Sequence, residues 1–115
     1  PAVLTGTRRE MKVNCLELFA PVVTVEPYDD FGQAIEAVND SRFGLQAGVF
    51  TRNIEAIFSA YEKLEVGGVV VGDVPTFRVD HMPYGGMKDS GTGREGIRYA
   101  IEEMTERKLL AVHLR

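Results

Sequence analysis

The chain has 115 residues, which is enough for one small domain with a single core. Hydrophobic residues make up 44% and charged residues 26% of the sequence, a balance typical of a globular domain rather than a disordered one. The net charge of −4 disfavours binding to nucleic acid, and no apolar run approaches the roughly 18 residues of a membrane span.

The first elements predicted along the chain alternate between strands and helices. "VVTVEPY" (22–28) is rich in β-branched residues and predicts a strand, and "DFGQAIEAVND" (30–40) has the apolar spacing of a helix. "QAGVF" (46–50) predicts a short strand, and "NIEAIFSAYEKLE" (53–65) carries a helical apolar stripe. "GGVVV" (67–71) predicts a strand buried on both faces. This alternation predicts an α/β fold with a mostly parallel sheet.

The second half of the chain contains a long loop and an apolar end. Residues 72–91 are predicted to form a loop of about twenty residues, and structureless loops of that length are usually functional. "KLLAVHLR" (108–115) places Leu110, Val112 and Leu114 in the alternation of a strand. We expect this terminal strand to pair with an edge in another subunit.

A glycine-rich stretch, "SGTGREG" (90–96), fits the G-x-G-x-x-G spacing of a dinucleotide-binding turn. That motif needs a strand before it and an acidic residue about twenty positions after it, and the sequence supplies neither. Thr92 and Glu95 also have the spacing of a capping box, which favours the start of a helix over a pyrophosphate site. A helix N-terminus can still attract an anion, so both interpretations stay open here.

Cysteine and histidine residues indicate no metal site. Cys15 is the only cysteine, which excludes an internal disulfide and suggests a reducing, cytoplasmic location. His81 and His113 are far apart and lack the spacing of metal ligands. A lone cysteine is usually a small buried hydrophobe or an inert thiol, so we do not expect catalysis by Cys15.

Three stretches together resemble the C-terminal part of the aldehyde dehydrogenase superfamily. "PYGGMKDSGTGREG" (83–96), "ELFAPVV" (17–23) and "VNDSRFGLQAGVFT" (38–51) occur in the family's order and spacing and, with the intervening chain, cover most of the sequence from Glu17 onwards. The resemblance implies the end of a three-layer αβα catalytic domain over residues 1–107. It also implies an oligomerisation strand over residues 108–115.

The resemblance further implies NAD(P)-dependent oxidation of an aldehyde to an acid. In the family a cysteine thiolate attacks the aldehyde, hydride passes to the nicotinamide, and an activated water hydrolyses the thioester. The family's nucleophilic cysteine and general-base glutamate lie far upstream of these motifs. We therefore expect no catalytic residue in this chain, and no activity from the chain without the remainder of the parent protein.

The resemblance assigns the cofactor contacts to Glu17 and Phe19. In the family, the carboxylate of Glu-x-Phe accepts hydrogen bonds from the nicotinamide ribose and the aromatic ring packs beside it. The alternative is a solvated glutamate followed by a core phenylalanine. We favour the cofactor role, with NAD or NADP as the cofactor of the intact enzyme.

The family's substrate entrance corresponds to the stretch "PTFRVDHMPYGG" (75–86). There Phe77 would form an aromatic wall and Arg78 would offer a cation to a carboxylate or phosphate group. The stretch is most similar to family members acting on small anionic or hydroxylated aldehydes, such as succinate semialdehyde, lactaldehyde, phosphonoacetaldehyde and glyceraldehyde 3-phosphate. An ion pair between Arg78 and Asp80 is the equal alternative.

Four other positions are compared with the family pattern. Gly72 stands where the family usually has an asparagine that helps to hold active-site backbone, and glycine has no side chain to do this. Lys88, Ser90 and Arg94 match the family signature, and we expect them to stabilise the loop and helix rather than to take part in chemistry.

Two hypotheses for the function follow. In the first, the chain belongs to an oligomeric enzyme that oxidises a small aldehyde and needs neither nucleic acid nor a membrane. In the second, it is a non-enzymatic association module whose terminal strand adds to the sheet of another chain.

Overall fold

Strands and short helices alternate along the chain in the structure, a computed structural model that describes residues 1–114. The elements in chain order are β1 (Ala2–Thr5), α1 (Lys12–Cys15), β2 (Val22–Val25), α2 (Phe31–Asn39), β3 (Phe43–Gly44), β4 (Gln46–Val49), α3 (Ile54–Lys63), β5 (Gly68–Val71), β6 (Met87–Lys88) and α4 (Ile97–Met104). None of these helices is both long and apolar enough to cross a bilayer.

The strands pair in three small sheets. β1 lies parallel to β2, with Ala2 opposite Val22, and β4 lies parallel to β5, with Gln46 opposite Gly68. β3 and β6 form an antiparallel pair, which joins the loop after β5 to the start of β4. The α/β class and the mostly parallel pairing predicted from the sequence are confirmed.

The two longer helices begin at side-chain caps that the sequence supplies. The Asp30 carboxylate accepts a hydrogen bond from the Gln33 backbone N–H at 3.0 Å, immediately before α2. The Asn53 side chain accepts from the first turn of α3 at 2.9 and 3.3 Å. Each cap satisfies backbone donors that the helix itself cannot pair, so both helices start where the sequence predicts.

The core lies where α2 and α3 cover β4 and β5. Its buried members are Ile35, Val49 and Ala60, with Phe31, Leu64 and Val69 packed against them. The outer part of the apolar stripe on α3 is exposed in the structure of residues 1–114. Ile54, Phe58 and Tyr61 are 60%, 58% and 70% exposed.

β5 is not buried on both faces, contrary to the sequence-based prediction. Its residues are half-buried, and Val71 at its end is 43% exposed. The reason is that, among the described residues, β5 has only one neighbouring strand, β4, and the helix with the most contacts to it is α3. The apolar run thus indicated a strand correctly but overstated its burial.

The predicted capping box at Thr92 and Glu95 is wrong. α4 begins at Ile97 after Gly96, which has φ of +107° and offers no side-chain cap. The Glu95 backbone instead forms an antiparallel bridge with Tyr84, with its N–H donating to the Tyr84 carbonyl at 2.6 Å. This pairing holds Glu95 in an extended segment. The helix therefore starts at Ile97 and not directly after Thr92.

The end of the chain contains neither helix nor strand over residues 106–114. Its side chains are exposed, with Leu109 at 89%, Leu110 at 84% and Leu114 at 88%. Arg115, the last residue of the predicted strand, lies outside the described residues. Pairing of this segment with another subunit stays a prediction.

Candidate functional site

The two residues assigned to cofactor binding lie on the segment that joins α1 to β2, residues 16–21. The Glu17 carboxylate is exposed and makes no hydrogen bond or ion pair with any residue in 1–114, and the Phe19 side chain is 94% exposed. Ala2 donates to the Pro21 carbonyl at 2.8 Å, which ties the end of the segment to β1. The segment therefore presents a free acceptor and a bare ring, a combination that fits a ligand with hydroxyl donors and a flat face.

The two residues assigned to substrate binding lie on the loop that leaves β5, here called the entrance loop (residues 72–82). Gly72 begins it with φ of +79°, and its N–H donates to the Val49 carbonyl at 2.9 Å. A Cβ at Gly72 would meet nothing within 4 Å, so the position requires a left-handed backbone rather than empty space. Asparagine is among the residues that tolerate this conformation best, so the departure from the family pattern at Gly72 keeps the backbone requirement.

Arg78 contacts three groups around the entrance loop. Its guanidinium lies 3.1 Å from the Asp80 carboxylate and 3.2 Å from the Glu95 carboxylate, and 5.6 Å from the centre of the Tyr84 ring. The predicted alternative, an ion pair with Asp80, is thus present. The Arg78 side chain is nevertheless 46% exposed, and exposed ion pairs contribute at most about 1 kcal/mol, so an incoming anion can compete for the remaining N–H donors.

Phe77 is 52% exposed and is held through its backbone by a residue that the sequence analysis missed. The Gln46 side-chain nitrogen donates to the Phe77 carbonyl at 3.1 Å. The only sequence signal was a polar residue inside the otherwise apolar strand "LQAGV". Strand periodicity could not reveal its partner, which is 31 positions away.

The signature segment, residues 83–96, is held in place by Lys88 and Ser90. The Lys88 ammonium donates to the carbonyls of Asn39 and Ser41, at 2.6 and 3.1 Å, where α2 ends. The Ser90 hydroxyl accepts from the Gly44 N–H at 2.9 Å. Both contacts support the expected stabilising role. Lys88 is a cation at a helix C-terminus, where it satisfies carbonyls that lack partners, and Ser90 ties the segment to β3.

Backbone crossings also stabilise the signature segment. The Arg94 guanidinium donates to the carbonyls of Gly86 and Gly93, at 3.0 and 2.7 Å, and so links two parts of the segment. Gly67, just before β5, passes so close to Gly85 that a Cβ on Gly67 would overlap the Gly85 carbonyl oxygen. Glycine at position 67 thus lets the segment lie directly against the start of β5, and glycine at position 85 leaves room for Gly93 and Arg94 within the segment.

The glycine run is not shaped to hold a pyrophosphate. The Arg94 backbone N–H, which a phosphate would need, donates to the Glu103 carboxylate at 2.9 Å. That carboxylate also fills the space beside Gly93, where a Cβ would lie 2.5 Å from its oxygen. An anion at this turn would meet a like charge, which disfavours the nucleotide interpretation.

The cysteine and the histidines do not form a reactive group. Cys15 ends α1, and its thiol donates to the Arg9 carbonyl at 2.7 Å. No histidine or carboxylate within residues 1–114 is hydrogen-bonded to it, and that part of the chain contains no cluster of three or more potential metal ligands.

The two pairs of candidate residues lie beside different sheets. Glu17 and Phe19 precede β2 in the β1–β2 sheet, and Phe77 and Arg78 follow β5 in the β4–β5 sheet. No hydrogen bond or ion pair among the described residues joins one pair to the other. The chain thus presents two separate candidate surfaces, each with an exposed aromatic ring and one charged group.

Comparison with known proteins relates both surfaces to one family. The 3-sulfolactaldehyde dehydrogenase of Priestia aryabhattai is 48% identical over 114 residues, which are 99% of this chain and 24% of that protein. A crystal structure of aldehyde dehydrogenase 21 from Physcomitrella patens in complex with the reaction product succinate matches with a TM-score of 0.87 at 44% identity, over 90% of this chain and 22% of that one. Glyceraldehyde-3-phosphate dehydrogenase GapN from Methanocaldococcus jannaschii, complexed with NADP, matches with a TM-score of 0.81 at 40% identity, over 89% and 22%.

This chain spans about a quarter of the length of the curated relatives it matches. The family model for the aldehyde dehydrogenase family matches residues 1–110, almost the whole chain. The chain therefore belongs to the aldehyde dehydrogenase family.

Proposed function

We propose that the chain is the C-terminal part of an NAD(P)-dependent aldehyde dehydrogenase that oxidises a small aldehyde, such as succinate semialdehyde or lactaldehyde, to the carboxylic acid. The observation that carries this proposal is the family match over residues 1–110. Relatives named for 3-sulfolactaldehyde, lactaldehyde and glyceraldehyde 3-phosphate support this substrate class, because all three are short-chain aldehydes and two of them carry an anionic group.

Glu17 and Phe19 hold the cofactor in this proposal. When bound, NAD or NADP supplies the hydride acceptor of the reaction. The free Glu17 carboxylate accepts hydrogen bonds from ribose hydroxyls, and the bare Phe19 ring packs beside the ribose and nicotinamide. The exposure of both side chains supports this role, because neither is committed to a partner within residues 1–114.

Arg78 and Phe77 receive the substrate in this proposal. Arg78 binds the anionic end of the aldehyde, using N–H donors that Asp80 and Glu95 leave free, and Phe77 forms an aromatic wall beside it. Asp80 and Glu95 also orient the guanidinium before the substrate arrives, which lowers the entropy lost on binding.

The nucleophilic cysteine and the general base come from the remainder of the parent chain. Cys15 lies two residues before Glu17, where the family has no nucleophile, and its thiol donates a hydrogen bond to a backbone carbonyl. The isolated chain is therefore inactive. Residues 1–107 complete the catalytic domain and residues 108–115 pair with another subunit, in a protein that works in the cytoplasm.

The proposal is tested by assaying the intact protein with succinate semialdehyde, lactaldehyde and glyceraldehyde 3-phosphate, each with NAD and with NADP. Arg78→Met raises the KM for the anionic aldehyde by about tenfold or more, since hydrogen bonds to charged groups contribute about 1.5–3 kcal/mol. Propionaldehyde, which has no anionic group, shows no such rise. Glu17→Gln raises the KM for the cofactor, and Arg98→Met, on the exposed face of α4, changes neither value.

Two outcomes contradict the proposal. One is an intact protein that oxidises none of these aldehydes with either cofactor. The other is turnover by the isolated chain that disappears in Cys15→Ser, because this would make Cys15 the nucleophile.

Exposure at the C-terminus favours a second candidate function, a non-enzymatic association module. Leu109, Leu110 and Leu114 are each more than four-fifths exposed, and an apolar segment of alternating pattern can add to the edge of a sheet in another chain. Sedimentation of the chain with and without residues 108–115 tests this function. A monomer in both cases contradicts it.

A further inference from the structure

We propose that Gln46 is a positioning residue that holds the entrance loop, and so sets the direction from which Arg78 meets the substrate. The loop-holding role stands on the structure alone, and its kinetic consequence rests on the proposed function. Gln46 lies in β4, outside the loop that it contacts and outside both pairs of candidate site residues.

Two residues on one face of β4 contact the entrance loop. Gln46 and Gly48 are two positions apart, so they share a face of the strand. The Gln46 side-chain nitrogen donates to the Phe77 carbonyl at 3.1 Å. A Cβ at Gly48 would lie 2.7 Å from the Asp73 carbonyl oxygen and 3.1 Å from the Pro75 ring, so the loop passes directly over this glycine. The face of β4 therefore supports the loop near its start and at the peptide before Arg78.

The orientation of the Gln46 amide is determined by its partner. A carbonyl can only accept, so the amide nitrogen must face Phe77 and the amide oxygen must face inward. That oxygen is buried and has no hydrogen-bond partner among the described residues. Gly68, opposite in the sheet, provides the room, because a Cβ there would lie 3.3 Å from Gln46 Cγ.

A buried acceptor without a partner lowers the stability of the fold. Gln46 thus contributes one hydrogen bond to the loop, while its buried oxygen has no partner within residues 1–114. A residue that was there only for stability would be apolar at this position, as its neighbours in β4 are. This conflict between local stability and the residue present is typical of positions retained for function.

The peptide that Gln46 holds is the one that precedes Arg78. Fixing the Phe77 carbonyl fixes the plane of that peptide, and hence the direction in which the Arg78 side chain leaves the backbone. The other contacts of Arg78, with Asp80 and Glu95, are exposed ion pairs that salt screens. The contact with Gln46 involves no net charge, so it keeps its strength when salt or an anionic substrate weakens those pairs.

The test compares Gln46→Glu and Gln46→Met with Gln33→Glu and Gln33→Met in the intact enzyme that carries this chain. The glutamate keeps the size of Gln46 but has no N–H to donate, and the methionine removes both polar atoms. Gln33 is the matched control, since it is the only other glutamine and is exposed on α2. Limited trypsin digestion reports on the loop through cleavage after Arg78, measured against cleavage after Arg52 in the same sample.

We expect cleavage after Arg78 to be about two- to tenfold faster in both Gln46 variants, the range that corresponds to the loss of one hydrogen bond. The KM for the anionic aldehyde rises by a similar factor, while kcat changes less than twofold. The melting temperature of Gln46→Met is equal to that of wild type or higher, because the unsatisfied oxygen is gone. The Gln33 variants resemble wild type in every measurement.

Equal cleavage after Arg78 in the Gln46 and Gln33 variants overturns the inference. A lower melting temperature in Gln46→Met, with kcat and KM changed alike, also overturns it, because that result indicates a purely structural role. If the wild-type enzyme oxidises no aldehyde, the proposed function fails, but the cleavage comparison still decides whether Gln46 holds the loop.

Discussion

Substitutions at Gly72 test whether the start of the entrance loop requires a residue that tolerates a left-handed backbone. Its φ of +79° lies in the left-handed region, and a Cβ there meets nothing within 4 Å. Gly72→Ala therefore adds only backbone strain, about 1–2 kcal/mol, which the lower entropy of the unfolded chain offsets by about 0.4–1 kcal/mol. The net loss in the free energy of unfolding is about 1 kcal/mol. Gly72→Asn loses less, because asparagine tolerates positive φ.

The assay is thermal unfolding of the chain followed by far-UV circular dichroism at constant pH and salt. For 115 residues the unfolding entropy is about 0.24 kcal/mol per degree, so Gly72→Ala lowers Tm by roughly 4 °C. Gly72→Asn stays within about 2 °C of wild type by the same conversion. An alanine variant as stable as the asparagine variant would refute this reasoning, since asparagine is expected to tolerate the left-handed backbone better.

Three further predictions concern the contacts that hold the loops and helices. Lys88→Met removes the ammonium from the carbonyls at the end of α2 and destabilises the chain by about 1.5–3 kcal/mol, whereas Lys108→Met, in the exposed C-terminal segment, leaves Tm unchanged. Asn53→Ala lowers the free energy of unfolding by about 1 kcal/mol through loss of the α3 cap, and Asn53→Asp retains most of it, as urea titrations will show. Thr92→Ala leaves Tm unaltered, because Thr92 does not cap α4. A loss of about 1 kcal/mol in the free energy of unfolding would instead show that Thr92 caps this helix.

Local sequence signals located the two longer helices well. Asp30 and Asn53 are residues whose side chains prefer to cap, and each stands directly before an apolar stripe. Both the preference and the stripe lie within a few residues, so no distant contact is needed to identify them. The predicted strands at 22–28, 46–50 and 67–71 were also found, although each is shorter in the structure.

Signals that depend on distant partners could not be resolved from the sequence. Thr92 and Glu95 have the spacing of a capping box, but Tyr84 competes for the Glu95 backbone and prevents it. The two-residue strands β3 and β6 exist only because they pair across more than forty positions of chain. The stripe on α3 indicated an apolar face, yet periodicity does not say what covers it.

Only some residues of the candidate site were predicted, because the others depend on partners that are distant in the sequence. The resemblance assigned Arg78, and the structure shows that it contacts Asp80, as the alternative interpretation expected, and also Glu95, which the sequence analysis had given another role. Gln46 carried no motif, and only the folded chain brings it to the Phe77 carbonyl. Family motifs thus propose which residues contact ligands, whereas a contact such as that of Gln46 with the Phe77 carbonyl depends on tertiary packing.

The close approach of Gly67 and Gly85 brings together the two ends of the stretch that contains β5 and the entrance loop. Gly67 lies so close to the Gly85 carbonyl that no side chain fits there, and Phe77 and Arg78, about half exposed, lie between these two glycines in the sequence. Surface loops held on a packed scaffold tolerate sequence change better than the elements that hold them. For an engineer, the entrance loop is therefore best transplanted between relatives together with Gln46, Gly48 and Glu95, which contact it.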